Sequence, residues 1–347
     1  MNEKIDKQSL VEQLDREKRN VSFDAYDISV RQLVDMAGTA LIDVAPDYQR
    51  LFIWDLHRES ELVESIFLGI PIPSLFMATN KDGSWEVVDG VQRLSTLLHF
   101  CGENDAISKV GKEKPLALQG LNKLTAFNGY TFKKLPESLQ LAFTLRPLRV
   151  TTLNDKSDLL VRYDLFERLN TGGIILHDQE IRNVVFRGPA TEQIKALAQN
   201  SCLRSVLYMP DNEEKESNYQ QAVLRFFAYL NRYLDFKHLV KEFLSGYLRD
   251  HYKKELDQDE IELFNKTMTF LGTELPNGVS KGSKYTLINL FEAAAVGTAL
   301  VLKSGARPKT GVLEGLLIDP ELEKFTKGGT NTKKMVVGRI DYVKNAL

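Results

Sequence analysis

The chain has 347 residues, about two domains' worth by ordinary domain size. Hydrophobic residues make up 43% and charged residues 27%, proportions typical of a globular protein. Its 45 Lys and Arg residues against 47 Asp and Glu residues give a net charge of -2, so an overall basic surface for nucleic acid is excluded.

Cysteine content and hydropathy favour a cytoplasmic protein. The two cysteines, Cys101 and Cys202, stand far apart, which excludes a disulfide framework and a zinc site made of cysteines. The charged N-terminal stretch lacks the apolar core of a secretory signal. The longest apolar stretches, such as residues 291–302, are too short to span a membrane. We therefore expect two structural thiols in a reducing compartment.

The first part of the chain mixes helix and strand signals. Residues 1–24 predict a charged helical arm. Ser29 and Gln32 fit a capping box, which predicts a helix that begins there and ends at Gly38. A short strand is predicted at residues 40–44.

A hairpin followed by a helix is predicted next. Residues 58–67 have the apolar spacing of an amphipathic helix, and Gly69 ends it. Strands at residues 74–79 and 85–88 are separated by a turn, and a helix follows at residues 92–100. Further strands are predicted at residues 115–118 and 145–153, and further helices at residues 158–169, 178–185, 191–199, 217–234, 260–271 and 287–303.

Strand signals fade beyond residue 188, where Gly188 and Pro189 interrupt the pattern. We therefore predict a domain at residues 25–188 and an α-helical domain at residues 189–347. The predicted fold class is α+β in the first of these domains.

Asp89-Gly90-Val91-Gln92-Arg93 is the first candidate site, at a predicted strand–turn–helix junction. A helix N-terminus has free backbone N–H groups and suits phosphate, and Gly90 lets the backbone approach a ligand closely. Arg93 is positioned for a bidentate contact with phosphate, and Asp89 for magnesium or a water. The alternative is a plain Asp-Gly turn.

Two other segments carry candidate ligand contacts. Asp47-Tyr48-Gln49-Arg50 forms a loop in which Arg50 is a second phosphate ligand and Tyr48 stacks on a base, unless its aromatic ring only covers the core. Asn170-Thr171-Gly172 follows a predicted helix and either caps it or presents polar groups to a ligand.

A basic stretch lies between these segments. Residues 107–150 carry eight Lys or Arg against two acids, a local excess of six charges. It is either a solvated face or a surface for DNA phosphates, in which case the contacts are Lys112, Lys114, Lys133 and Lys134.

Taken together, these segments resemble the N-terminal domain family of the GmrSD-type restriction endonucleases. The matching motifs, in the order in which the family has them, are Asp47–Arg50, Gly69–Pro73 (GIPIP), Val87–Leu94 (VVDGVQRL) and Phe166–Gly172 (FERLNTG), with Glu180-Ile181-Arg182-Asn183 beyond. Each motif alone is weak, and the ordered set covers about residues 25–190. The resemblance implies a ParB/sulfiredoxin-like core.

The resemblance also implies binding or hydrolysis of a nucleoside triphosphate with Mg²⁺, action on DNA, and a role in bacterial defence. Catalysis would then fall to Asp89, Gln92 and Arg93, with Asp89 also the metal ligand. Nucleotide contacts would come from Tyr48, Gln49, Arg50, Gly90, Arg93, Asn170, Thr171 and Gly172.

Two departures from the family pattern leave other functions open. Val91 stands where the family usually has a glutamine, and the five histidines show no HNH nuclease pattern. The alternatives are a non-catalytic DNA-binding or regulatory module with an effector or nuclease partner, and a ParB-fold metal-dependent nuclease that uses Asp47, Asp89 and Glu180. A Walker-type phosphate loop is absent from the sequence.

Overall fold

The structure is a computed structural model that describes Leu10, Tyr163, Arg168 and residues 22–44, 54–80, 82–154, 177–212, 215–280 and 284–347. The chain divides into two compact units, Met1–Leu176 and His177–Leu347. The predicted boundary near residue 188 lies a short way into the second unit and stays a prediction. The predicted arm at residues 1–24 and helix at residues 158–169 fall largely outside the described residues.

A mixed sheet organises the first unit. Its described strands are β1 (Phe23–Ser29), β2 (Ile42–Asp43), β3 (Leu75–Thr79), β4 (Trp85–Asp89) and β5 (Pro147–Leu153). Their order across the sheet is β1-β5-β3-β4-β2. The β1–β5 and β3–β4 pairs are antiparallel, whereas β3–β5 and β2–β4 are parallel.

Three helices of the first unit begin and end close to where the sequence predicts them: α1 (Val30–Gly38), α2 (Leu56–Leu68) and α3 (Val91–Cys101). The shorter helices α4 (Asn104–Lys109) and α5 (Glu137–Thr144) were not predicted. The Ser29 hydroxyl accepts a hydrogen bond from the Gln32 amide at 3.3 Å, which confirms the N-cap half of the predicted box. Gly69 ends α2 with φ +70°, a conformation that favours glycine.

One strand predicted from the sequence is wrong, and one strand was missed. Residues 115–118 form no strand: their backbone bonds to the end of α3 and to a neighbouring turn, while Leu116 and Leu118 are buried. Strand β1 was not predicted, because it is an edge strand whose first five residues are all exposed and show no alternation of apolar and polar residues.

The second unit is helical throughout its described residues. Its helices are α6 (Asp178–Val185), α7 (Pro189–Leu197), α8 (Ser201–Val206), α9 (Lys215–Arg232), α10 (Val240–His251), α11 (Gln258–Glu274), α12 (Ile288–Lys303), α13 (Leu313–Leu317), α14 (Pro320–Thr326) and α15 (Lys333–Ala346). The predicted α+β unit followed by a helical unit is therefore confirmed. Within the described ranges, none of the helices combines the length and apolar character that a membrane crossing requires.

A buried contact between a carboxylate and an imidazole joins α2 to α3. Glu59 is fully buried, and its Oε2 lies 2.5 Å from Nδ1 of His99. Nε2 of His99 lies 2.9 Å from the Lys114 carbonyl oxygen, which only accepts, so this nitrogen carries a proton. Lys112 approaches the second Glu59 oxygen at 3.7 Å. The pair therefore fixes two helices and the chain that follows them in one arrangement.

Replacement of His99 by alanine is expected to lower the free energy of unfolding by about 3 kcal/mol or more, because Glu59 would stay buried without its nearest partner. Lys133→Ala is the matched control, since it removes an ion pair with Glu103 in which both side chains are exposed. Such pairs contribute about 0–1 kcal/mol. Urea denaturation followed by circular dichroism measures both variants, and equal losses would contradict a special role for the buried pair.

Candidate functional site

The Asp89–Arg93 segment forms the strand–turn–helix junction that the sequence predicts. Strand β4 ends at Asp89, and α3 begins at Val91. Between them Gly90 has φ +105°, and a Cβ atom added there would overlap the Leu75 side chain. Only glycine fits this position, and it has no side chain to cap the first amides of α3.

Arg93 is held by three acceptors on the same unit. Its Nη1 donates to the carbonyl oxygens of Pro73 and Ser74, the latter at 3.0 Å. Its Nη2 lies 2.6 Å from Oδ2 of Asp89. The Arg93 side chain is only 12% exposed, whereas that of Asp89 is 36% exposed. Arg93 thus connects the end of the GIPIP run to α3, and a phosphate there would have to share or displace these contacts.

Gln92 contacts a distant part of the chain. Its Oε1 accepts a hydrogen bond from the Trp54 backbone amide at 3.1 Å. Trp54 comes four residues after Arg50 in the sequence and stacks against Arg58, whose guanidinium lies 4.7 Å from the ring centre. The junction and the segment that follows the Tyr-Gln-Arg loop therefore lie side by side. Sequence reasoning did not foresee this contact.

Six of the eight predicted nucleotide contacts lie outside the described residues. Tyr48, Gln49 and Arg50, like Asp47 beside them, lie outside the described residues, as do Asn170, Thr171 and Gly172. The hypothesis that the three segments share one site therefore stays a prediction.

Residues of the Glu-Ile-Arg-Asn segment have structural partners in the second unit. The Glu180 carboxylate accepts from the His177 backbone N–H at 2.6 Å and completes a capping box at the start of α6. Arg182 is buried and donates to the Ser245 hydroxyl at 3.1 Å. Asn183 donates to the Gln220 side chain at 2.6 Å. Glu180 is thus occupied as a cap, which weighs against its predicted use as a nuclease metal ligand.

Metal-binding geometry is not found at Asp89. Across the described part of the chain, no three or more His, Cys, Asp or Glu side chains converge on one point. The Asp89 charge is matched by Arg93. The use of Asp89 as a magnesium ligand stays a prediction. Burial raises the pKa of the Cys101 thiol to about 12, which agrees with the predicted structural role for this cysteine.

Two cations of the predicted basic surface stabilise helix ends instead. Lys109 Nζ lies 2.6 Å from the Gly38 carbonyl oxygen at the end of α1. Arg146 donates to the carbonyl oxygens of Ile66 and Phe67 in the last turn of α2, at 3.1 and 3.2 Å. Both satisfy carbonyl groups that a helix leaves unpaired at its C-terminus, and both oppose the negative end of its dipole.

Other cations of this stretch pair with acids that lie outside it. The pairs are Lys112 with Glu59 at 3.7 Å, Lys133 with Glu103 at 2.9 Å and Arg149 with Asp27 at 3.1 Å. Lys114 and Lys134 are exposed and make no ion pair with a described residue. The local excess of six charges in the sequence therefore overstates the free positive charge of the surface.

Comparison with known proteins bears on the assignment. Residues 30–187, just under half of the chain, match the family model of the GmrSD restriction endonuclease, N-terminal domain. Comparison with curated proteins gives no match. Among solved structures, a Pnob8-like ParB-N domain is 12% identical over 94% of this chain and 96% of that chain, at a TM-score of 0.25.

That structural match agrees in name with the ParB-like interpretation, but a TM-score this low carries no argument. The family model covers the junction at Asp89–Arg93, the GIPIP run and the Glu-Ile-Arg-Asn segment, which are the motifs on which the sequence resemblance depends. The resemblance is thereby confirmed: residues 30–187 of this chain match the family of GmrSD restriction endonuclease N-terminal domains.

Proposed function

We propose that the N-terminal unit binds a nucleoside triphosphate at the start of α3 and couples it to action on DNA in restriction-type defence, in the cytoplasm. The observation that carries the proposal is the contact between Gln92 and the Trp54 amide. A stretch of four residues spans at most about 14 Å. Because Trp54 follows Arg50 by four residues, this contact supports a shared site for the two family motifs.

The start of α3 has the features that phosphate requires. Gly90 provides no side-chain cap at the start of this 11-residue helix, and the amides at a helix N-terminus are donors for an anion. The positive end of the helix dipole adds to this attraction. We propose that these amides, with Arg93 and Arg50, hold the phosphates, while Tyr48 stacks on the base and Asn170, Thr171 and Gly172 close the site.

Asp89 and Arg93 would act as a pair that the nucleotide opens. In the structure, Arg93 binds Asp89 at 2.6 Å. A phosphate is a stronger partner for a guanidinium because it carries more charge and accepts in bidentate fashion. It therefore competes with Asp89 and frees the carboxylate to orient the attacking water, with Gln92 and Gln49 beside it. Magnesium enters this scheme only as the companion of the nucleotide, and no step depends on a protein-held ion.

A non-catalytic binding module is the second candidate. Arg93 donates to three acceptors, and Gln92 accepts from the Trp54 amide, so both side chains already have structural roles. Val91 also removes the polar group that relatives have at this position. In this alternative the chain binds nucleotide or DNA and leaves chemistry to a partner protein.

Phosphate release is the direct test. The full chain is incubated with each of the four ribonucleoside triphosphates and magnesium, with and without duplex DNA, while binding and DNA nicking are measured in parallel. Hydrolysis of at least one nucleotide supports the proposal. Binding without hydrolysis supports the non-catalytic module, and DNA nicking without any nucleotide would favour the metal-dependent nuclease. Neither binding nor hydrolysis of any nucleotide would refute a nucleotide site.

Arg93→Ala is expected to weaken nucleotide binding about tenfold or more, because charged hydrogen bonds contribute about 1.5–3 kcal/mol each. Arg149→Ala is the matched control, since it removes another arginine–aspartate pair of the same unit, on β5. Isothermal titration measures binding, and circular dichroism checks that each variant is folded. If Arg93→Ala unfolds while Arg93→Lys keeps its affinity for nucleotide, Arg93 is a purely structural residue.

The variant Asp89→Asn tests separately whether Asp89 competes with the nucleotide for Arg93 and whether it takes part in hydrolysis. The neutral amide neither repels phosphate nor holds Arg93 as firmly, so nucleotide should bind severalfold more tightly. Hydrolysis should fall at least about a hundredfold, since acid–base groups contribute about 10²–10⁴-fold. Single-turnover phosphate release against titrated binding gives both values. A fall in nucleotide affinity together with the fall in hydrolysis rate would contradict the competition between Asp89 and the nucleotide.

DNA affinity should depend on Lys114 and Lys134, two of the exposed lysines of the basic stretch. The double variant Lys114→Glu/Lys134→Glu is expected to weaken duplex binding and to reduce the salt slope by about 0.9 for each lost phosphate contact. Lys266→Glu/Lys324→Glu changes the net charge equally on exposed helices of the second unit and is the control. Fluorescence anisotropy over a salt series measures the slope. Identical slopes in both variants would assign these lysines to a solvated face.

A further inference from the structure

A buried cluster of charged side chains joins three helices of the second unit. Glu292 of α12 lies between Arg225 of α9, which pairs with its Oε1, and Arg339 of α15, which pairs with its Oε2. Glu292 and Arg339 are 1% and 0% exposed, and Arg225 is 13% exposed. One carboxylate faces two guanidiniums here, so the cluster has one positive charge in excess.

Three hydrogen-bond donors of this cluster have no acceptor among the described residues. They are Nε of Arg225, Nε of Arg339 and the hydroxyl of Tyr229, which lies one turn after Arg225 on α9. The remaining groups of Arg339 are satisfied, since its Nη1 donates to the Thr330 carbonyl oxygen at 2.6 Å. Burial, and then the Glu292 carboxylate, raises the pKa of Tyr229, so its O–H stays a donor at every physiological pH.

Neighbouring acids do not supply the missing acceptor. Asp341, two residues beyond Arg339, accepts from the Tyr233 hydroxyl at 3.0 Å. Tyr229 lies near Arg339, but a guanidinium only donates, so the phenolic hydrogen still needs an acceptor. Buried donors without a partner are rare in native proteins because their desolvation is not offset. A group that only accepts and carries negative charge is the kind of partner that such donors require.

From this arrangement we infer that the second unit binds a small monovalent anion of halide size between Arg225, Tyr229 and Arg339. One negative charge balances the single excess positive charge, whereas a phosphate dianion would exceed it. The partial exposure of Arg225 gives the ion a route from solvent. Bound there, the anion links α15 to α9 and adds to the two ion pairs that Glu292 makes with these helices.

Thermal unfolding of the full chain tests this inference. Chloride replaces gluconate at constant ionic strength, which keeps general screening equal. An anion that binds only the folded state raises the folding equilibrium constant about tenfold for each tenfold rise in concentration above its dissociation constant. Bromide is the structural probe: crystals grown in sodium bromide should give an anomalous peak within hydrogen-bond distance of the three donors.

Tyr229→Phe removes one donor and keeps the aromatic ring, so the variant should fold and lose most of the chloride dependence. Tyr219→Phe is the matched control on the same helix, because its buried hydroxyl already donates to the Leu207 carbonyl oxygen at 2.9 Å. That variant should keep the full chloride dependence. Equal stability in chloride and gluconate, equal dependence in the two variants, or a water without anomalous signal at the site would each overturn the inference.

Discussion

The guanidinium of Arg93 is the constraint on which the candidate site depends. It binds the last residues of the GIPIP run and the aspartate that ends β4, so it ties together the entry to β3, the end of β4 and the start of α3. Gly90 makes this closure possible, since a side chain there would collide with Leu75. The motif residues are thus first of all parts of one rigid turn, and any nucleotide chemistry would use groups that the fold has already aligned.

Local signals predicted the elements around this turn well. The Ser29 cap, the glycine stop at Gly69 and the Asp-Gly junction depend on a few neighbouring residues, and the sequence displays them directly. Contacts between distant residues could not be read in this way. The Gln92–Trp54 bond and the Glu59–His99 pair join positions 38 and 40 residues apart, and no periodicity marks them. The family motifs pointed to the right segments without revealing these partners.

The electrostatics of the basic stretch also depend on contacts that the sequence does not display. A count of charges along the sequence treats each cation as free, yet Lys109 and Arg146 neutralise helix ends and Lys112 faces a buried glutamate. Carbonyl groups at a helix C-terminus carry no formal charge, so a count of acidic residues cannot include them. What remains for an external partner is set by the fold, and at this surface it includes Lys114, Lys123 and Lys134.

The position of β5 in the sheet has a consequence for synthesis. Strand β5 lies between β1 and β3, although residues 23–29 precede it by more than a hundred residues. During translation, β1 therefore has no neighbour until residues 147–153 leave the ribosome, while the β3–β4 hairpin forms early from local contacts. Such non-local pairing slows folding and leaves an unpaired edge exposed in the nascent chain. Two aspartates among the exposed positions of the seven-residue β1 protect this strand against premature association until β5 has been made.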